Sequence, residues 1–123
     1  MNFSEKFNKK PLNYVKAADL IEELKPGEMY EDYGQATEKV PIKALWISFS
    51  SQYRKDGKSA VVELAGKYDG KALNLPNNMI PVVEEILKDG ESLSMIARGR
   101  VGIELYTYEN NFGDQVGVKW CEM

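Results

Sequence analysis

Histidine is absent from the 123-residue sequence, and Cys121 is its one cysteine. The lack of histidine excludes the serine–histidine triad and, together with the single cysteine, a Cys/His zinc site. A lone cysteine also cannot build a disulfide framework. No apolar run approaches the ~18–20 residues of a membrane span, and the first residues, MNFSEKFNKK, lack the apolar core of a signal peptide. We therefore expect a small, soluble, cytoplasmic protein without catalytic activity, cofactor, metal ion or membrane contact.

The net charge of −3 conceals an uneven distribution along the chain. Residues 1–18 contain four lysines and one glutamate, and residues 19–38 contain seven acidic side chains and one lysine. Residues 39–71 then contain seven lysines or arginines and three acidic side chains. An acidic protein can therefore present a basic surface if the fold gathers the last of these segments, although evenly scattered, solvated charge explains the same counts.

Apolar residues change along the chain from a helical period to alternation. The length fits one domain, in which residues 1–13, polar and basic, form an arm. The spacing predicts helices over 17–24 and 76–88, the second of which ends at Gly90. Alternation predicts strands over 42–51, 59–68, 71–75, 92–109 and 115–122.

Turn residues and alternation define the predicted hairpins and faces. Asp56-Gly57 is a strong hairpin signal, and Gly99 and Gly102 predict bends in the long strand 92–109. Val62 points to the core and Val61 points outward. Trp120 shares its face with apolar neighbours and is expected in the core. The first strand is ambiguous, because a register shifted by one residue would bury Trp46 rather than its neighbours.

Strands and helices in the order β-β-β-α-β-β predict a mainly β fold. This is the order of the OB-fold, a five-stranded Greek-key barrel with one helix between strands 3 and 4, here preceded by a short N-terminal helix. Another small barrel or an α+β sheet would give a similar order. We expect a single OB-like domain spanning residues 1–123.

Aromatic and basic residues on the outer face of the predicted sheet indicate single-strand binding. Bases stack on aromatic rings while cations contact phosphates, and a flexible basic hairpin can close over the strand. The candidate nucleic-acid-binding residues are Trp46, Tyr53, Arg54, Lys55, Lys58, Arg98, Arg100, Tyr106, Tyr108 and Lys119. Each also has a plainer interpretation, because tyrosines suit any half-exposed strand and lysines suit any solvated turn.

Two stretches resemble the small single-stranded-DNA-binding proteins of phages that infect lactococci and related bacteria. They are LNLPNNMIPVVEEILKDG at 73–90 and GRVGIELYTYENNFGDQVGVKW at 99–120. The resemblance implies an OB-fold that coats single-stranded DNA during phage replication and recombination in the host cytoplasm. It implies contacts through Trp46, Tyr106, Tyr108 and the loop 54–58, with single-stranded DNA and a recombinase or replication protein as partners. The edge strands of the predicted barrel and the basic arm 1–13 add a second copy of the chain as an expected partner.

The chain departs from bacterial single-strand binders at its C-terminus. Those proteins typically end in an acidic tail that recruits replication partners, whereas this sequence ends in Val-Lys-Trp-Cys-Glu-Met. Recruitment would then use another surface, such as the acidic segment 19–38. That segment also supports the alternative function of a small protein-interaction or inhibitor domain.

Overall fold

Strands dominate the computed structural model, which describes residues 12–49 and 57–123. Strands make up 49% and helices 27% of these residues, which confirms a mainly β protein. The strands are β1 (Asn13–Val15), β2 (Pro26–Tyr30), β3 (Gly34–Thr37), β4 (Val40–Ser48), β5 (Ser59–Leu64), β6 (Lys71–Asn74), β7 (Val101–Asn110) and β8 (Gly113–Glu122). The α-helices are α1 (Ala17–Glu23), α2 (Ile80–Ile86) and α3 (Gly90–Ala97).

Six strands form one curled sheet in the order β1-β6-β5-β4-β7-β8. The strands β4, β5 and β6 follow one another as antiparallel neighbours, and β7 returns to pair with the start of β4 through Val40 and Ile103. This neighbour relation is a Greek key, because the fourth strand lies beside the first. At one edge β1 runs parallel to β6, and at the other β8 pairs with β7 over its whole length.

The core lies on one face of this sheet, under the helices. Ile103 and Leu105 alternate along β7 and are fully buried, and Val83 from α2 is buried in the same cluster. Leu20 and Leu24, four positions apart on the predicted helix, are also part of this cluster. Trp120 packs against the cluster from β8, as expected. The predicted amphipathic patterns therefore account for the helix-covered face.

A separate hairpin, β2–β3, packs against β7 on the sheet. The buried hydroxyl oxygen of Thr37 accepts the backbone N–H of Leu105 at 3.0 Å, which ties the end of β3 to β7. Gly27 allows the two strands of the hairpin to approach, because a Cβ there would lie 2.6 Å from the carbonyl carbon of Thr37. The hairpin thus carries its turn to the outer face of β7.

The predicted strand over 92–109 is wrong in its first part. Residues Gly90–Ala97 form α3, and the chain turns at Gly99, whose φ is +73°, before β7 begins. Ser92, Met95 and Ile96 lie at helical spacing and face inward, which outweighs the local alternation of polar and apolar residues. Gly90 accordingly begins a helix instead of ending one.

Three other expectations also differ from the structure. Val61 lies on the face opposite the core cluster, beside Trp46, as predicted, but it is fully buried there rather than exposed. Gly102 lies in regular strand pairing, where a Cβ would meet the Val40 carbonyl oxygen at 2.7 Å, so it permits close packing rather than a bend. Strands β1, β2 and β3 and helix α3 are additional to the predicted five strands and two helices. Most of the predicted arm 1–13, and residues 50–56 of the basic hairpin, lie outside the described residues.

Candidate functional site

Four tyrosines, Tyr30, Tyr33, Tyr106 and Tyr108, form a tyrosine cluster on the face of β7 opposite the core. Tyr106 and Tyr108 alternate with the buried Ile103 and Leu105, so the pleat directs them away from the helices. The ring centroids of Tyr33 and Tyr106 lie 4.9 Å apart at 66°, and those of Tyr106 and Tyr108 lie 6.0 Å apart at 41°. Tyr30 meets Tyr33 edge-on at 6.3 Å. The rings form a continuous row.

Tyr106 is the half-buried centre of this row. It pairs across the strands with Gly117, where a Cβ would lie 2.6 Å from the Tyr106 hydroxyl oxygen, so its ring covers the glycine. Burial, with Tyr33 and Tyr108 beside it, raises the pKa of the Tyr106 phenol. The outer rings of Tyr33 and Tyr108 are 40% and 44% exposed. Tyr106 therefore supports the row, while its neighbours offer free ring surface.

An ion pair lies at the Tyr30 end of the cluster. Glu104 is 1% exposed, and the Tyr30 hydroxyl donates to its two carboxylate oxygens at 3.0 and 2.9 Å. Lys119 Nζ lies 3.5 Å from Glu104 Oε1 and over the Tyr30 ring, 4.5 Å from its centroid. Burial and the Glu104 and Glu28 carboxylates raise the pKa of Tyr30, so the phenol stays a donor. Lys119, a predicted phosphate contact, thus already has a counter-ion.

Two open cavities adjoin the cluster. The first, of about 390 Å³, is lined by Tyr33, Tyr106 and Tyr108 together with Asp32 and Met79 among others. The second, of about 470 Å³, has these lining residues: Tyr30, Lys39, Ile86, Ser92, Met95, Ile96, Val101, Glu104, Lys119, Trp120, Cys121 and Glu122. The first cavity offers aromatic ring surface beside a carboxylate.

Two polar groups that line the second cavity are in unusual environments: one lacks a hydrogen-bond acceptor in the described part of the chain and the other has a raised pKa. The indole nitrogen of Trp120 is buried and finds no acceptor within the described residues. Burial, and then the charge of Glu104, raise the pKa of the Cys121 thiol to about 11, against smaller opposing effects of Lys39 and Lys119. Cys121 is therefore protonated at neutral pH and is a poor nucleophile.

The register separates Trp46 from the tyrosine cluster, so the predicted shared platform is not formed. Pro41 pairs with Gly102, and because the strands are antiparallel, Tyr106 and Trp46 extend from this pair in opposite directions. At ~3.3 Å per residue, the two side chains are about 25–30 Å apart along the sheet. Trp46 is half-buried and faces away from the buried Leu45. The predicted outward orientation of Trp46 is confirmed, but its side chain lies far from the tyrosine cluster.

Apart from Lys119, the predicted cations that the structure describes also lie away from the tyrosine cluster. Lys58 Nζ lies 3.6 Å from Glu84 of α2. Arg98 lies at the end of α3 and Arg100 precedes β7, both exposed and on the Trp46 side of Gly102. Tyr53, Arg54 and Lys55 lie outside the described residues, and their roles remain predictions.

Sequence reasoning missed Tyr30, Tyr33, Glu104 and Phe112. Tyr30 and Tyr33 reach the site through packing of the β2–β3 hairpin, which no local pattern shows. Glu104 shares strand parity with Tyr106, a signal that was visible. Phe112 is 90% exposed at the β7–β8 turn, and a phenylalanine within the polar run Asn-Asn-Phe-Gly-Asp was the available signal.

No protein-family model, curated protein or solved structure matches the chain. Among residues 12–49 and 57–123, no helix has the length and apolar character needed to cross a membrane. The same part of the chain brings together no group of three or more Cys, Asp or Glu side chains that could hold a metal ion.

Proposed function

We propose that the protein binds single-stranded DNA without sequence preference, with bases stacked on Tyr33 and Tyr108, whose rings Tyr106 supports. The observation that carries this proposal is the continuous row of partly exposed rings beside an open cavity. Each base stacked on an aromatic ring contributes ~1–3 kcal/mol and needs no particular base identity. No covalent chemistry is part of the proposal.

The topology supports an OB-like barrel as the finer description of the fold. The order β6-β5-β4-β7-β8, with helices between β6 and β7, has the strand–helix succession of a five-stranded Greek-key barrel. In OB-folds the loops after strands 1 and 4 contact oligonucleotides. Here these are the connection from β4 to β5 and the β7–β8 turn with Phe112. The exposed ring of Phe112 thus extends the proposed path beyond Tyr108.

Phosphate contacts would come from predicted cations that lie away from the tyrosine cluster. Lys119 is matched by Glu104, whereas Arg98 and Arg100 are exposed on the other side of Gly102. A strand lying on the tyrosines would therefore need to continue along the sheet to meet these arginines and the loop 54–58. We place the activity in phage replication and recombination, on the resemblance of residues 73–90 and 99–120 alone.

Fluorescence anisotropy of a labelled oligo-dT at low salt tests the proposal. Replacing Tyr108 by leucine removes one stacking ring and should weaken binding ~5- to 150-fold, the equivalent of ~1–3 kcal/mol. Tyr108→Phe keeps the ring and should bind as the wild type does. Tyr14→Leu is the matched control, because Tyr14 is 55% exposed on β1 at the opposite edge of the sheet. Equal binding by the Tyr108→Leu variant and the wild type would contradict the proposal.

A basic protein partner is the second candidate, favoured by the carboxylate at the tyrosine cavity. Asp32 lines that cavity, and it belongs to the acidic segment 19–38. The two functions respond oppositely to charge. Asp32→Asn should strengthen oligo-dT binding slightly by removing repulsion of phosphates, whereas it should weaken binding of an arginine-rich peptide. Peptide binding that is lost in this variant, with no oligo-dT binding by either protein, would favour the second candidate.

A further inference from the structure

Glu104 is a fully buried carboxylate in the middle of a strand, a costly position for stability. Taking a carboxylate and an ammonium out of water costs several kcal/mol for each ion, and a buried ion pair is often no more stable than apolar residues of similar volume. Its strand neighbours on the same face include Tyr106 of the tyrosine cluster. The position of Glu104 beside the proposed binding surface therefore suggests a role in binding.

Glu104 holds Lys119 close to the tyrosine cluster. Its Nζ lies 5.8 Å from the centroid of Tyr33, whose ring is partly free. The Lys119 side chain is 22% exposed, so part of it reaches the solvent at the edge of the cluster. A phosphate next to a base stacked on Tyr33 would come within reach of this side chain.

Tyr30 and Lys119, two of the partners of Glu104, are bound differently. The Tyr30 hydroxyl lies at full hydrogen-bonding distance from the two carboxylate oxygens, at 3.0 and 2.9 Å. Lys119 Nζ is 3.5 Å away, longer than a typical charge-assisted hydrogen bond of ~2.7–2.9 Å. A neutral glutamine at this position could still accept from Tyr30, but it would no longer attract Lys119. The charge at position 104 can therefore be changed while its tie to the β2–β3 hairpin is kept.

We propose that Glu104 competes with DNA phosphate for Lys119 and thereby limits the affinity of the tyrosine cluster for single strands. This inference rests on the proposed function. Glu104 is a positioning residue that acts through Lys119 and does not itself contact DNA. In the wild type, Lys119 stays with Glu104 and adds no phosphate contact. In Glu104→Gln, where residue 104 carries no charge, Lys119 keeps only its contacts with the Trp120 carbonyl oxygen and the Tyr30 ring and turns to the strand.

The size of the effect follows from counterion release. One additional neutralised phosphate on a single strand steepens the dependence of log K on log salt concentration by ~0.7. At 0.1 M salt this corresponds to about a five-fold gain in affinity. A general change in net charge would not require Lys119, which allows the two causes to be separated.

The test compares salt titrations of oligo-dT binding for the wild type, Glu104→Gln, Glu109→Gln and the double variant Glu104→Gln/Lys119→Gln. Glu109→Gln is the matched control, because it changes net charge equally from an exposed position on the same strand, on the face opposite Tyr108. Glu104→Gln should steepen the salt slope by ~0.7 and bind about five-fold tighter, Glu109→Gln should change the slope little, and the double variant should return to the wild-type slope. Thermal melts check that every variant is folded.

The outcomes separate this inference from the proposed function. If Glu104→Gln matches Glu109→Gln, or if the double variant keeps the gain, Glu104 does not act through Lys119 and the inference is overturned. The loss of binding in Tyr108→Leu would still support stacking in that case. If the wild type does not bind oligo-dT at low salt, the proposed function and the inference both fall.

Discussion

Gly117→Ala is expected to disrupt the tyrosine cluster without removing a ring. A Cβ at position 117 would lie 2.6 Å from the Tyr106 hydroxyl oxygen and equally close to a ring carbon, about 1 Å inside normal contact. The ring is rigid and is held by Tyr33 at a centroid distance of 4.9 Å, so it must tilt or leave the strand surface. Overpacking of this kind typically costs ~1–3 kcal/mol of unfolding free energy.

The backbone itself should accept alanine, which makes the prediction specific. Gly117 is not among the glycines with positive φ, so alanine in a background without the Tyr106 ring should be neutral or stabilise by ~0.4–1 kcal/mol. Chemical denaturation of the wild type, Gly117→Ala, Tyr106→Ala and the double variant measures this coupling. Unfolding free energies that add, with no loss in Gly117→Ala, would refute the described contact between Tyr106 and residue 117.

Two further predictions concern the support of the site. Thr37→Val should lower the unfolding free energy by ~1–3 kcal/mol in urea denaturation, because it leaves the buried Leu105 N–H without its acceptor. Thr37→Ser keeps the oxygen and should lose clearly less, and equal losses would contradict this role of the hydroxyl. Alkylation of Cys121 by iodoacetamide at pH 8 should be roughly 100-fold slower than that of an unstructured cysteine, because burial raises its pKa to about 11. Rapid alkylation at pH 8 would show that the thiol is not shielded. The folded state holds the thiol proton more tightly than the unfolded state, so the contribution of Cys121 to stability should be lost as pH rises from about 9 towards about 11.

Local patterns were sufficient for the strands that alternate between core and surface. Residues 101–110 place Ile103 and Leu105 inward and Tyr106 outward, and the structure has the same faces. Alternation gave a wrong prediction at α3. The stretch Ser-Leu-Ser-Met alternates between polar and apolar residues as a strand does, but it is part of the helix Gly90–Ala97. A short segment of this kind is decided by tertiary packing rather than by its period.

Long-range strand pairing decides which residues meet at the site, and local sequence patterns do not reveal that pairing. Tyr106 and Tyr108 were predictable from their parity along one strand. Trp46 was joined to them wrongly, because strand parity gives the face of a side chain but not the register between β4 and β7. Tyr33 was missed because the β2–β3 hairpin brings it to the site from a distant part of the chain.

Photocross-linking of an oligo-dT with 5-iodouracil substitutions tests the central claim most directly. The complex is irradiated at low salt, and the modified peptides are identified by mass spectrometry. Stacking on the tyrosine cluster predicts cross-links at Tyr108 and Tyr33, and their loss when a large excess of unlabelled oligo-dT competes. Cross-links confined to the distant Trp46, or none at the tyrosine cluster under conditions in which the oligonucleotide is bound, would contradict it.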